Sequence, residues 1–162
     1  MLFSFLAKHQ EYSLKIIGIC PDELYQRYLV IVTKLEIGKQ VFFPNKFYSE
    51  SELESLSDTC HVGVAMYDTS PLNATYYTDP GKIKAYAELG LPIIMSETSA
   101  VGPYVRRFGC GEVISNSDKE LEKALFKIKR GYSKYLSGLE NFIKYFFFET
   151  YYQQAFKALE KV

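Results

Sequence analysis

The chain has 162 residues, 48% hydrophobic and 23% charged, and its 19 basic and 19 acidic side chains cancel to a net charge of zero. That length supports a domain with a real core, and the neutral balance argues against an electrostatic nucleic-acid footprint. Three cysteines, odd in number and without a C-x-x-C pair, argue against a disulfide framework or a zinc site, and no apolar run approaches the roughly 18 residues of a membrane span.

Residues 2–10 read as a short helix. Leu14 to Ile19 form a compact apolar strand with Gly18 near its end. Pro21, Asp22 and Glu23 open a helix whose apolar face carries Leu24, Tyr25, Tyr28, Leu29, Val32 and Leu35, with Gly38 as its stop. Val41 to Pro44 read as the next strand. Ser49 and Glu52 make a capping box for a helix to about Cys60. Val62 to Met66 are a further apolar strand, and a long loop follows from Tyr67 to Thr78, a length often tied to function.

The segment Asp79 to Met95 reads as a helix feeding a buried strand. Asp79 is the expected N-cap, Pro80 the first helical residue, and Gly90 the left-handed residue after the helix end. Val101 to Phe108 form a short helix stopped by Gly109, and Glu112 to Ile114 a last strand. Ser117 and Glu120 make a second capping box before Leu121, Ala124, Leu125 and Ile128. From Gly131 onward Tyr132, Tyr135, Phe142, Tyr145, Phe146, Phe147, Phe148, Tyr151, Tyr152 and Phe156 crowd into two helical segments divided near Gly138 and Glu149. These rings read as packing surface, for the sheet or for a partner domain. The sharper reading is peripheral membrane association, with Lys127, Lys129, Arg130, Lys134 and Lys144 supplying charge.

Apolar strands alternating with helices, about five times, predict an α/β fold: a Rossmann-like, doubly wound parallel sheet with helices on both faces. Residues 1–130 would form this domain and 131–162 its C-terminal helices. Ligands bind such sheets at the C-terminal strand ends. The helix start at Asp79, with Gly81 and Lys82, is a place where a phosphate binds well. No Ser-His-Asp spacing, zinc signature or P-loop is present, so no catalytic and no metal residues are assigned.

The order of these pieces resembles the C-terminal, nucleotide-sugar-binding domain of GT-B glycosyltransferases of the family-4 (group 1) type. Leu14 to Gly18 resemble that domain's strand-plus-glycine, Val41 to Asn45 the strand whose exit loop faces the donor base, and Asp58 to Met66 the strand after an Ala-Asp pair. Lys82 to Ile94 resemble the helix ending in Gly-x-Pro-Val-Ile, and Phe142 to Leu159 the closing helices. The family's two glutamates fall at Tyr77 and Ala85, so the ribose-binding carboxylate is absent from its usual place, with Glu88 and Asp79 nearby. The family's first strand, its Gly-rich turn with Arg and Lys, and its N-terminal acceptor domain have no counterpart, so an N-terminally truncated fragment is expected.

The resemblance implies a UDP- or GDP-sugar donor as substrate, no cofactor, and hexosyl transfer to a glycan or glycoconjugate. Its candidate donor-binding positions are Gly18, Asn45, Tyr67, Tyr77, Asp79, Gly81, Lys82 and Ile83. Lys82 is the first candidate for a diphosphate contact. The expected partner is the missing acceptor domain or a separate chain carrying it. A cytoplasmic location is expected, peripheral to the inner face of the membrane in the sharper reading. The alternatives are a non-catalytic GT-B-like scaffold subunit docking to a catalytic partner and, more weakly, a sugar-nucleotide epimerase.

Overall fold

The computed structural model describes residues 1–70, 72–97 and 100–159, without the side chains of 75, 148, 150, 151, 154 and 155. The last group includes Phe148 and Tyr151 of the aromatic tail. Internal contacts divide the chain into two compact units, Met1–Leu56 and Ser57–Val162.

The first unit contains α1 (Leu2–Leu6), β1 (Leu14–Lys15), α2 (Asp22–Lys34), β2 (Val41–Phe42) and most of α3 (Glu50–Ser57). β1 and β2 pair in parallel, Leu14 opposite Val41 and Lys15 opposite Phe42. Leu6, Val32 and Ile37 form the small core beneath them. The Gln40 amide nitrogen lies within 3.1 Å of the carbonyl oxygens of Leu6, His9 and Tyr12, closing the end of α1. α3 carries both halves of its capping box: Glu52 N donates to Ser49 Oγ, and Ser49 N donates to the Glu52 carboxylate.

Two expectations change here. The strand over 14–19 is shorter, because Gly18 at φ 128° turns the chain out of extended conformation. α2 ends in a left-handed residue, but that residue is Glu36 at φ 58°, two positions before Gly38. The Ile37 N–H to Val32 carbonyl bond of 3.1 Å closes the turn around it.

The second unit contains β3 (Gly63–Ala65), α4 (Gly81–Glu88), β4 (Ile93–Ser96), α5 (Gly102–Phe108), β5 (Gly111–Ile114), α6 (Asp118–Arg130), α7 (Tyr132–Phe146) and α8 (Phe148–Leu159). Its sheet has the order β3-β4-β5 and is parallel throughout. The α/β fold with parallel strands is therefore as the sequence predicts, with the strands bonded in two small sheets. β4 lies between two neighbours and every one of its residues is buried, which explains its unbroken apolar run. Gly90 takes φ 69°, and the bonds Gly90 N to Ala87 O and Leu91 N to Tyr86 O form a Schellman closure that drops the chain into β4. Ser117 caps α6 by accepting from Glu120 N.

Asp79 does not cap α4. Pro80 occupies the N-cap in extended conformation, and no side chain caps the helix. The Asp79 carboxylate instead pairs with Lys84 at 2.7 Å. Gly138 does not divide the aromatic tail either: it lies inside α7, and the chain leaves helical geometry at Phe147. A Cβ at Gly138 would sit 2.6 Å from the carbonyl oxygens of both Phe108 and Gly109. The glycine lets α7 approach the end of α5 that closely. Leu139 and Phe142 then join Ile83, Ala87, Val101 and Val105 in one core. Replacing Gly138 by Ala is expected to lower the stability of this unit by about 1–3 kcal/mol through overpacking against backbone. Urea unfolding should show a lower midpoint at unchanged slope.

Candidate functional site

The C-terminal ends of the second unit's strands are tied by one buried hydroxyl. Ser96, the last residue of β4, is fully buried. Its Oγ accepts from the Tyr67 N–H at 2.7 Å and lies 3.1 Å from the Tyr67 carbonyl and 2.9 Å from Asn116 Oδ1. Asn116 Nδ2 donates to the same Tyr67 carbonyl at 2.9 Å. The chains leaving β3, β4 and β5 are thus fixed to one another where a parallel sheet offers its ligand edge. Neither Ser96 nor Asn116 stood out in the sequence, although a serine ending an otherwise apolar strand was the available signal.

Tyr67 opens the long loop from this anchor. Its ring is partly buried, and its phenolic oxygen is buried without a hydrogen-bond partner. Burial, with the nearby Tyr86 phenol adding to it, pushes the Tyr67 phenol up to about 12. Lys82 Nζ lies 5.2 Å from the Tyr67 ring centroid, a cation–π contact. Among the described residues this ammonium forms no ion pair, whereas Lys84 is held by Asp79. Gly81 and Lys82 are exposed in the first turn of a helix without a side-chain cap, so the positive end of the helix and a lysine coincide. The loop beyond Tyr67 is folded on itself: Asp68 accepts from Ser70 N and Asn73 Nδ2. The first of these bonds, chiefly, holds the Asp68 carboxyl below its usual range.

The remaining candidates take other positions. Ile83 is wholly buried in the core, leaving only its backbone near the helix start. Tyr77 is 67% exposed and packs edge-on against Tyr76 with ring centroids 4.9 Å apart. Gly18 and Asn45 belong to the first unit. There Gly18 bridges to Lys46, and Asn45, left-handed at φ 50°, has its side chain on Cys20, accepting from the Cys20 N–H at 2.8 Å and donating to its carbonyl at 3.3 Å. Tyr67 and Lys82 are thus in contact, with Gly81 and Ile83 beside Lys82 in the first turn of α4 and Asp79 just before it, while Tyr77 packs on Tyr76; all six lie within the second unit. Among the described residues no cluster of His, Cys, Asp or Glu is arranged to hold a metal ion, and no helix is long and apolar enough to cross a membrane.

Comparison of the sequence with known protein families and with curated proteins finds no match. Comparison of the structure does. The chain is similar to WaaG, a glycosyltransferase involved in lipopolysaccharide biosynthesis, with a TM-score of 0.61 and 18% identity over 89% of this chain. The chain has a glycosyltransferase-like fold. It spans 37% of the WaaG chain. In the second unit the Ser96 network and the Tyr67–Lys82 contact lie where parallel α/β sheets bind ligands.

Two substitutions test the anchor. Ser96→Ala strands a buried N–H at Tyr67 and is expected to cost about 1–3 kcal/mol in urea unfolding. Tyr67→Phe removes an oxygen that has no partner, so near-neutral pH stability should be unchanged or higher. Because folding holds the Tyr67 proton more tightly, stability should fall as pH rises from 10.0 towards about 12. The phenylalanine variant should lack that part of the alkaline loss in thermal melts.

Proposed function

We propose that the chain is the donor-binding half of a glycosyltransferase, taking a UDP- or GDP-sugar and presenting its hexosyl unit to a glycan or glycoconjugate acceptor. The observation that carries this reading is the likeness of 89% of the chain to part of a glycosyltransferase. The site chemistry supports it. A helix start without a side-chain cap and an ammonium with no carboxylate partner among the described residues favour an anion such as a diphosphate. Lys82 then holds the leaving diphosphate, with the first-turn N–H groups of α4 beside it and the Tyr67 ring beneath its ammonium. In this chemistry charge develops on the leaving diphosphate, and preset donors stabilise it without reorganising.

The acceptor side and the remaining diphosphate contacts are supplied by a further domain or a partner chain, so the 162-residue chain alone does not transfer sugar. A second reading, a binding or scaffold subunit without catalysis, is favoured by one feature: Tyr77 and the exposed Ala85 stand where the resemblance expects glutamates.

Calorimetric titration with UDP and with GDP separates the two readings. Donor binding predicts millimolar or tighter affinity for one of them, weakened about tenfold or more by Lys82→Ala, the loss of one charge-assisted contact. No binding to either nucleotide, together with a tight protein partner, supports the scaffold reading. Sugar transfer by the purified chain would overturn the half-enzyme assignment.

A further inference from the structure

The second unit carries a basic stripe that the donor-binding reading leaves unused. From Lys119 to Lys134 the sequence has six basic and two acidic side chains, although the whole chain is neutral. α6 arranges them. Leu121, Ala124 and Ile128 bury one face of this helix. Lys119, Lys123, Phe126 and Arg130 follow one another at four, three and four residues, so they line the opposite face. All four are exposed, Phe126 by 58%. The Arg130 guanidinium lies 5.5 Å from the centre of the Phe126 ring, which sets charge and apolar surface side by side. Lys129 and Lys134, also exposed, extend the charge at the helix end.

Lys123 is balanced by Glu120 at 2.8 Å and Lys127 by Glu112 of β5 at 2.9 Å. Among the described residues Lys119, Lys129, Arg130 and Lys134 form no ion pair. Cations around an exposed ring fit a partner that is anionic at its surface and apolar beneath it. A bilayer of anionic lipid has that order of layers. A nucleic-acid strand is held by successive stacking rings along a groove, and this convex helix face offers one ring. We propose that the solvent face of α6 docks the protein on an anionic lipid surface, with Phe126 entering the headgroup layer and the surrounding cations meeting lipid phosphates. Because the chain is neutral in total, the attraction depends on which face it presents. The sequence alone ties such a role to the rings from Tyr132 onward. In the structure Phe142 of that group is buried, and Tyr145 and Phe146 pack on Tyr104 of α5. The exposed ring among uncommitted cations is Phe126.

The test is co-sedimentation of the full chain with vesicles of phosphatidylcholine alone or with about 30% phosphatidylglycerol, the anionic lipid that sets the surface potential. Binding is expected at millimolar lipid on the anionic vesicles only, and it should be lost at about 0.5 M salt. Lys129→Ala and Arg130→Ala should each weaken it about fivefold, and Phe126→Ala about threefold to tenfold. Lys39→Ala, an exposed lysine of the first unit, should leave it unchanged. These positions are exposed, so unchanged melting midpoints will show that the variants stay folded. The chain has no tryptophan, so Phe126→Trp adds a single reporter whose emission should shift to the blue on anionic vesicles. Absence of binding, equal binding to phosphatidylcholine, binding unaffected by Arg130→Ala, or equal weakening by Lys39→Ala overturns the proposal. So does a Phe126→Trp emission that does not move on binding. Tighter binding of a single-stranded oligonucleotide through the same residues would overturn it in favour of a nucleic-acid surface. No nucleotide sugar enters this experiment, so its outcome is independent of the donor reading.

Discussion

The Ser96 hydroxyl is the constraint on which the ligand edge depends. A parallel sheet ends in diverging loops, and each loop brings backbone groups that need partners once buried. Ser96 meets that need from inside β4, accepting the Tyr67 N–H, while Asn116 takes the Tyr67 carbonyl. Both side chains act on one residue, so the first position of the long loop is fixed. Everything downstream, including the Tyr67 ring over which Lys82 sits, starts from that point. A small polar side chain in a fully buried strand is stable only because its bonding capacity is filled.

The parts of this structure that were legible in the sequence are those set by local backbone chemistry. The apolar run ending at Met95 became a strand, Ile93–Ser96, with every residue buried. Gly90 became the left-handed closure, and Ser49 and Ser117 became caps. What misled were residues with two competing local roles. Asp79 can cap a helix or pair with a lysine, and the Lys84 ammonium offers it a charge-assisted bond that a backbone N–H does not match. Gly138 breaks helices by propensity, yet here the tertiary contact decides, since only a glycine fits against two carbonyls. Glu36 takes the left-handed role with a Cβ, which sequence pattern assigns to Gly38. The Ser96–Tyr67–Asn116 network was invisible because its members are far apart in the chain and meet only through strand register.

The two lysines of α4 show how local pairing divides labour. Lys84 is committed: its ammonium lies on Asp79 and 5.0 Å from the Phe146 ring, so it joins the helix start to the aromatic tail. Lys82, two residues earlier, lies over the Tyr67 ring and forms no ion pair among the described residues. Had Asp79 capped the helix, its carboxylate would have occupied the N–H groups and lowered the positive potential at the first turn. Its diversion to Lys84 keeps that turn open to an outside anion.

The aromatic tail acts on this edge indirectly, through packing. Phe142 is fully buried and contacts Phe108 and Phe146, while Tyr104 packs on Tyr145 and Phe146. Tyr104 and Phe108 belong to α5, and Gly138 brings α7 against the carbonyls at the end of that helix. α5 in turn carries Arg106 to Glu97. The position of that ion pair therefore depends on rings more than thirty residues later in the sequence, and on one glycine that lets them close in. Rings massed at the end of a chain can be read as an interface, and here those of α7 are first a buttress. They fix a short helix that would be marginal alone, and with it the Arg106 end of the bond to Glu97.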